Sequence, residues 1–315
     1  MRMSDLRVVF MGTPDFAVPC LDMLVAKQYN IVAVVSQPDR PKGRGQNLAQ
    51  SPVKQAALAY GLTVLQPNKV KEADFQTELS LLKPDLIIVV AFGQLLPKAI
   101  LDLPPLGCIN VHASLLPYYR GAAPIHWAVI NGEQVTGVTT MYMDVGMDTG
   151  DMILKDEVQI AEYETTGMIH DKLKESGAKL LSETIQLIAT DKAPRTAQNH
   201  ESATYATMLN REVEAIDWQK SANDIHNLVR GLNPWPGAYC SYQDKNLKIW
   251  QTRTYEKDAP ITKPGKIVKI TADGFVVETG QGMLEVLEAQ PASKRRMSAK
   301  DFVCGYGIAV GDILG

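Results

Sequence analysis

Asn110 and His112 stand two residues apart on the apolar run Gly107-Cys108-Ile109-Asn110-Val111-His112. A strand's period of two puts both side chains on one face, at the carboxyl end of the run. An asparagine amide placed there can donate to a developing oxyanion, and a histidine beside it can move a proton. Taken alone, the pair fits a hydrogen-bonded strand end equally well. The loop that follows, Ser114-Leu115-Leu116-Pro117-Tyr118-Tyr119-Arg120-Gly121, supplies an apolar wall, two phenols and a cation. A second cluster, Asp144, Asp148 and Asp151, is spaced by Gly146 and Gly150 after another apolar run. Three readings fit it: a metal site, a solvated turn, or a carboxylate that orients and charges His112. It lacks the downstream Glu of a calcium loop.

Two basic segments stand apart from these clusters. Residues 36–47, SQPDRPKGRGQN, hold Arg40, Lys42 and Arg44 with glycines around the last. That is longer than a strand–helix connection needs. A basic, glycine-hinged loop suits a phosphate backbone, and it is also what a solvated loop looks like. Lys294-Arg295-Arg296 reads as a solvated face unless it lies beside that loop. The turn Gly12-Thr13-Pro14-Asp15-Phe16 lacks the spacing of a dinucleotide fingerprint. His126, His170, His200 and His226 fall in helical or connecting segments and read as structural or exposed.

The elements that must position these groups alternate in the first half. Apolar runs at 7–10, 31–35, 85–91, 108–111 and 138–143 suit strands buried on both faces. Helical spacing appears at 16–26, 53–60 and 123–131, and again at 166–189. The alternation predicts a doubly wound, Rossmann-like α/β domain with ligands outside the carboxyl ends of its strands. A polar stretch then reads as a connection, and the texture changes near Met208. A helix over 221–230 and five short strand-like runs predict a small OB-like β-barrel. The expected division is a catalytic domain over 1–190, a linker over 191–207 and a second domain over 208–315.

The composition is that of an ordinary globular chain: 315 residues, 45% hydrophobic, formal net charge -3. Such a charge excludes coating by nucleic acid through bulk charge but leaves room for a local RNA site. The four cysteines form no CxxC pair and read as free thiols. The opening residues have no signal-peptide design and no window reaches the length of a membrane span, so a cytoplasmic protein is expected.

N-V-H-A-S-L-L-P followed by D-V-G-M-D-T-G-D resembles the folate-dependent formyltransferase superfamily. GTPDFAVP, QPDRPKGRG, SPVK and LNPWPGA extend the resemblance over essentially the whole chain, toward the branch that acts on methionyl initiator tRNA. The resemblance implies that Asn110, His112 and Asp148 form the catalytic trio. It implies that Ser114, Leu115, Leu116 and Pro117 contact folate, and that Phe92, Gln94, Leu96 and Asp144 lie in the segments that hold the pteridine. It implies 10-formyltetrahydrofolate as co-substrate, no metal, and no membrane. Contacts to tRNA are expected from Arg40, Lys42 and Arg44 and from the C-terminal module, with Lys294, Arg295 and Arg296 as its candidates. Nothing in the sequence demands an oligomer, and a monomer is expected. Two rival enzymes use a small amine acceptor (an amino sugar nucleotide or glycinamide ribonucleotide) or water. A non-enzymatic RNA-binding protein would leave the trio idle.

Overall fold

A computed structural model describes residues 5–42, 47–256 and 261–315. The chain divides into two compact units, one made of residues 1–121, 136–158 and 170–206 and the other of 122–135, 159–169 and 207–315.

The first unit is built on a seven-stranded sheet. Its elements run β1 (Arg7–Gly12), α1 (Val18–Ala26), β2 (Asn30–Val35), the short ribbon β3 (Arg40–Lys42) and β4 (Asn47–Ala49), α2 (Pro52–Ala59), β5 (Val64–Leu65) and α3 (Ala73–Leu81). They continue with β6 (Leu86–Val90), α4 (Lys98–Leu101), β7 (Cys108–His112) and β8 (Arg120–Gly121). After α5 (Pro124–Ile130), which falls in the second unit, come β9 (Val135–Tyr142), β10 (Met152–Gln159), α6 (Thr166–Ala189) and β11 (Tyr205–Ala206). The strand order is β10-β9-β7-β6-β1-β2-β5. From β5 through β7 the neighbours are parallel, as buried β-branched runs predict. β9 departs from this, because it lies antiparallel to β7. Apolar pattern reports burial but not direction, so the sequence could not show the reversal.

Local chemistry sets the helix starts. Ser51 caps α2 by accepting from the Lys54 amide, with Pro52 at the first helical position. β9 is buried although it carries Thr136, Thr139 and Thr140. The Thr139 hydroxyl donates to the Ser114 carbonyl (2.7 Å) and accepts from the Leu116 amide (3.1 Å), so it also fixes the loop beyond β7.

The second unit continues with α7 (Arg211–Glu214), α8 (Ala222–Gly231), β12 (Ala238–Tyr242), β13 (Lys245–Glu256), β14 (Ile267–Ile270), β15 (Phe275–Glu278), β16 (Met283–Pro291), β17 (Met297–Ser298) and α9 (Ala299–Tyr306). Its antiparallel sheet has the order β12-β13-β16-β15-β14, with β17 paired to β16. Residues 311–315 bridge the two end strands. Gly315 exchanges backbone bonds with Ser241 on β12, while Gly311 and Asp312 bond Ile267 on β14. Ile225, Leu232, Ile249, Phe275, Leu284 and Phe302 are among the side chains that fill its core.

Candidate active site

β7 delivers Asn110 and His112 to the carboxyl edge of the first unit's sheet, and the turn after β9 delivers Asp148 to the same place. All three side chains meet. The Asp148 Oδ2 lies 3.7 Å from His112 Nδ1, and its Oδ1 is 3.4 Å from Asn110 Nδ2. The Gly121 amide donates to Asp148 Oδ2 at 2.8 Å. On the far side of the imidazole, Nε2 is 2.9 Å from the Tyr119 carbonyl. A carbonyl only accepts, so Nε2 carries the hydrogen of the neutral ring, and Nδ1, beside Asp148, is the nitrogen that can take a proton. Asn110 and His112 are 9% and 6% exposed, enough burial for fixed dipoles to act with little water between them.

The Asp148 turn has a backbone only some residues allow. Asp148 itself sits at φ 54°, in the left-handed region that aspartate tolerates better than most. A Cβ on Gly150 would stand 1.8 Å from the Tyr142 carbonyl oxygen, so a side chain there would push the turn off β9. Asp144 closes the turn on itself. Its Oδ1 accepts from the Gly146 amide (3.0 Å) and the Thr149 hydroxyl (2.6 Å).

The loop after β7 is held from several sides. Ser114 donates to the Tyr118 carbonyl (2.6 Å), and Lys155 donates to the Leu116 carbonyl. Burial pushes the Lys155 amine below its ordinary value, with Glu157 opposing that effect. Leu116 is fully buried with Met141 and Met152, whereas Leu115 and Pro117 are partly open. Phe92 and Leu96 pack in the core beneath the sheet edge. Gln94 uses its side chain to accept from the Val70 amide and donate to the Asn68 carbonyl. The Phe92 carbonyl accepts from Thr13 and Gln37, which ties the first turn to this segment.

The basic candidates are distributed differently. Arg40 is exposed on the β3–β4 ribbon. Lys42 ends the described part of that segment, and Arg44 lies outside the described residues. In the second unit Lys294, Arg295 and Arg296 are all exposed. Arg296 pairs with Glu288 (2.9 Å) and lies over the Trp250 ring at 4.3 Å, whose indole donates to Gln290. Lys248 approaches the same ring at 5.5 Å. Among the described residues no group of three or more His, Cys, Asp or Glu is placed to hold a metal ion.

Sequence reasoning missed a set of contacts from 198–206. Gln198, 5% exposed, donates to the carbonyls of Asp148 and Gly150, both at 2.8 Å. Thr204 accepts from the Tyr119 amide at 2.9 Å. The stretch is polar and aperiodic, and its partners are 50 to 85 residues away in sequence, so no local pattern marks it.

Residues 6–185 match the formyl transferase family, and residues 208–307 match the formyl transferase C-terminal domain. The chain belongs to the formyl transferase family. A protein of Desulforamulus reducens named methionyl-tRNA formyltransferase is 54% identical over 310 residues, which is 98% of this chain and 98% of that protein. One of the same name from Acetivibrio thermocellus is 51% identical over 310 residues, 98% of this chain and 100% of that protein. Among solved structures, an N-formyltransferase of Helicobacter canadensis in complex with folinic acid and dTDP-3-aminofucose superposes with a TM-score of 0.68 at 19% identity. It covers 90% of this chain and 99% of its own. HypX of Aquifex aeolicus in complex with tetrahydrofolic acid gives 0.65 at 15% identity, covering 98% of this chain and 48% of its own. These two share the formyl transferase fold, and the identity is too low to say more.

Proposed function

We propose that this formyltransferase moves the formyl group of 10-formyltetrahydrofolate to the α-amine of methionine esterified to initiator tRNA. The convergence of Asn110, His112 and Asp148 at one sheet edge carries the chemical part of this reading. The near full-length similarity to proteins named methionyl-tRNA formyltransferase supports the acceptor. A second unit with exposed Lys294, Arg295 and Arg296, and the basic segment 36–47, fit a large polyanionic acceptor better than a small amine. The reading carries with it a cytoplasmic protein that works as a monomer.

The neutral amine attacks the formyl carbon, which becomes tetrahedral with an oxyanion. Asn110 Nδ2 donates to that oxygen, a contact worth roughly 10²–10³ in rate in comparable sites. The attacking amine must lose a proton and the departing N10 must gain one. His112 Nδ1 takes and returns that proton, with the Asp148 carboxylate beside it to stabilise the charged ring. The C–N bond to N10 breaks as the oxyanion collapses, leaving the N-formyl amide. No serine, cysteine or lysine stands in a nucleophile–base pair with His112, so direct transfer is favoured over a covalent enzyme intermediate. Ser114 to Pro117 and the backbone of the Asp144–Asp148 turn are the parts proposed to hold the folate.

His112→Ala tests the reading. Folate binding, followed by the change in pterin absorbance, should stay within a few-fold of the parent. Formyl transfer to the charged tRNA should fall by about 10²–10⁴. Retained turnover in that variant would remove the histidine from the reaction.

A further inference from the structure

Asp148 is held in place by a device that lies in none of the motifs discussed above. Its φ of 54° carries a cost of about 1–3 kcal/mol for a non-glycine residue and needs something to impose it. Gln198 supplies that. One side-chain amide places its two hydrogens on two carbonyls of the same turn, those of Asp148 and Gly150, each at 2.8 Å. Its oxygen accepts from both Nε (3.0 Å) and Nη2 (2.6 Å) of Arg120. Arginine only donates and carbonyls only accept, so the amide has one orientation and cannot flip. Arg120 is 1% exposed and has no ion-pair partner among the described residues. Its remaining printed side-chain contact is the Nδ1 of His200, at 3.2 Å. A buried cation with so few acceptors binds the Gln198 oxygen strongly.

The same segment reaches the other side of the imidazole. Thr204 accepts from the Tyr119 amide, and its own carbonyl accepts from the Arg120 amide. The Tyr119 carbonyl is the partner of His112 Nε2. Residues 198–206 therefore set both hydrogen-bonding partners of His112.

We propose that Gln198, gripped by Arg120, is a positioning residue for formyl transfer, fixing the 148–150 backbone so that the Asp148 carboxylate faces His112. The proposal rests on the catalytic reading of Asp148 given above. It deepens that reading by naming the residue through which the carboxylate is aimed.

Gln198→Glu is the informative change. It keeps the shape and strengthens the contact with Arg120, but it replaces two donors with an oxygen facing two carbonyls. The fold is retained and the turn is displaced. A misplacement on the order of 1 Å at a reacting group can cost about 10²-fold in rate. The experiment is a cycle of wild type, Q198E, D148N and the double variant, with kcat for formyl transfer and the folate Kd measured for each. The expected result is a loss of about 10²-fold in kcat for Q198E, folate binding within a few-fold, and less than about 3-fold further loss when Q198E is added to D148N. Losses that multiply in the double variant, or a Q198E protein at full rate, overturn the role. Should Q198E fail to fold, Gln198→Met takes its place in the same cycle and is judged by the same coupling. Absence of transfer by the wild type would instead overturn the proposed reaction, and with it the role of Gln198.

Discussion

Asp148→Asn removes the charge opposite His112 while leaving the turn its geometry. Asparagine accepts a left-handed backbone readily, and its side-chain oxygen can still accept from the Gly121 amide. What is lost is the attraction between a carboxylate and the imidazolium that forms as the amine gives up its proton. At the observed 3.7 Å and an effective dielectric near 20, that attraction is about 4 kcal/mol. At about 1.4 kcal/mol per decade, this corresponds to roughly 10³-fold in rate. The assay is single-turnover formyl transfer with saturating folate donor and charged tRNA, alongside folate binding and thermal unfolding. The expectation is a fall of about 10³-fold in the transfer rate, with folate affinity and unfolding midpoint close to the parent. A loss under 10-fold in a protein that binds folate and unfolds normally would refute the argument. His112 would then not carry charge at the transition state.

Two further expectations concern groups outside the site. Burial, aided by the Arg230 charge, pushes His226 below the ordinary histidine value of 6.5, with the Glu162 carbonyl opposing it. The unfolded chain then binds the proton more readily than the folded one. His226 contributes stability above about pH 6.5 that is lost as pH falls toward its folded value. Thermal unfolding should weaken between about pH 7.5 and 5.5, and His226→Gln should flatten that slope; an unchanged slope would assign it to other groups. Burial raises the thiols of Cys20, Cys108 and Cys240 to about 12, whereas Cys304 is exposed. A thiol reagent near pH 8 should modify the native protein once, and Cys304→Ser should abolish the reaction; rapid modification at a second cysteine would contradict the packing.

Much of the architecture could be read from apolar pattern alone. The buried strands announced themselves as continuous β-branched runs, and α6 begins and ends where its helical spacing does. The amphipathic elements at the edges were harder. β10 is exposed along Asp156 and Glu157, and α3 (ADFQTELSL) buries only Phe75 and Leu79, so neither rises above a polar background. At the site, Asn110 and His112 were legible because a strand's alternation is local. Asp148 was legible only as one of three aspartates. What separates it from Asp144, which closes its own turn, is a matter of tertiary contact. Gln198 and Thr204 gave no signal, because a side chain that bonds distant backbone leaves no periodicity behind. Gln94, placed by its neighbours in a folate segment, spends its amide on the backbone of residues 68 and 70.

The acceptor is the central claim, and one measurement addresses it directly. Purified protein and 10-formyltetrahydrofolate would be offered methionine-charged initiator tRNA, charged elongator tRNA, glycinamide ribonucleotide and an amino sugar nucleotide in parallel, with formyl transfer followed to each. The account predicts rapid formylation of the initiator tRNA and little of the other three. Transfer to a small amine with the initiator tRNA untouched would contradict it.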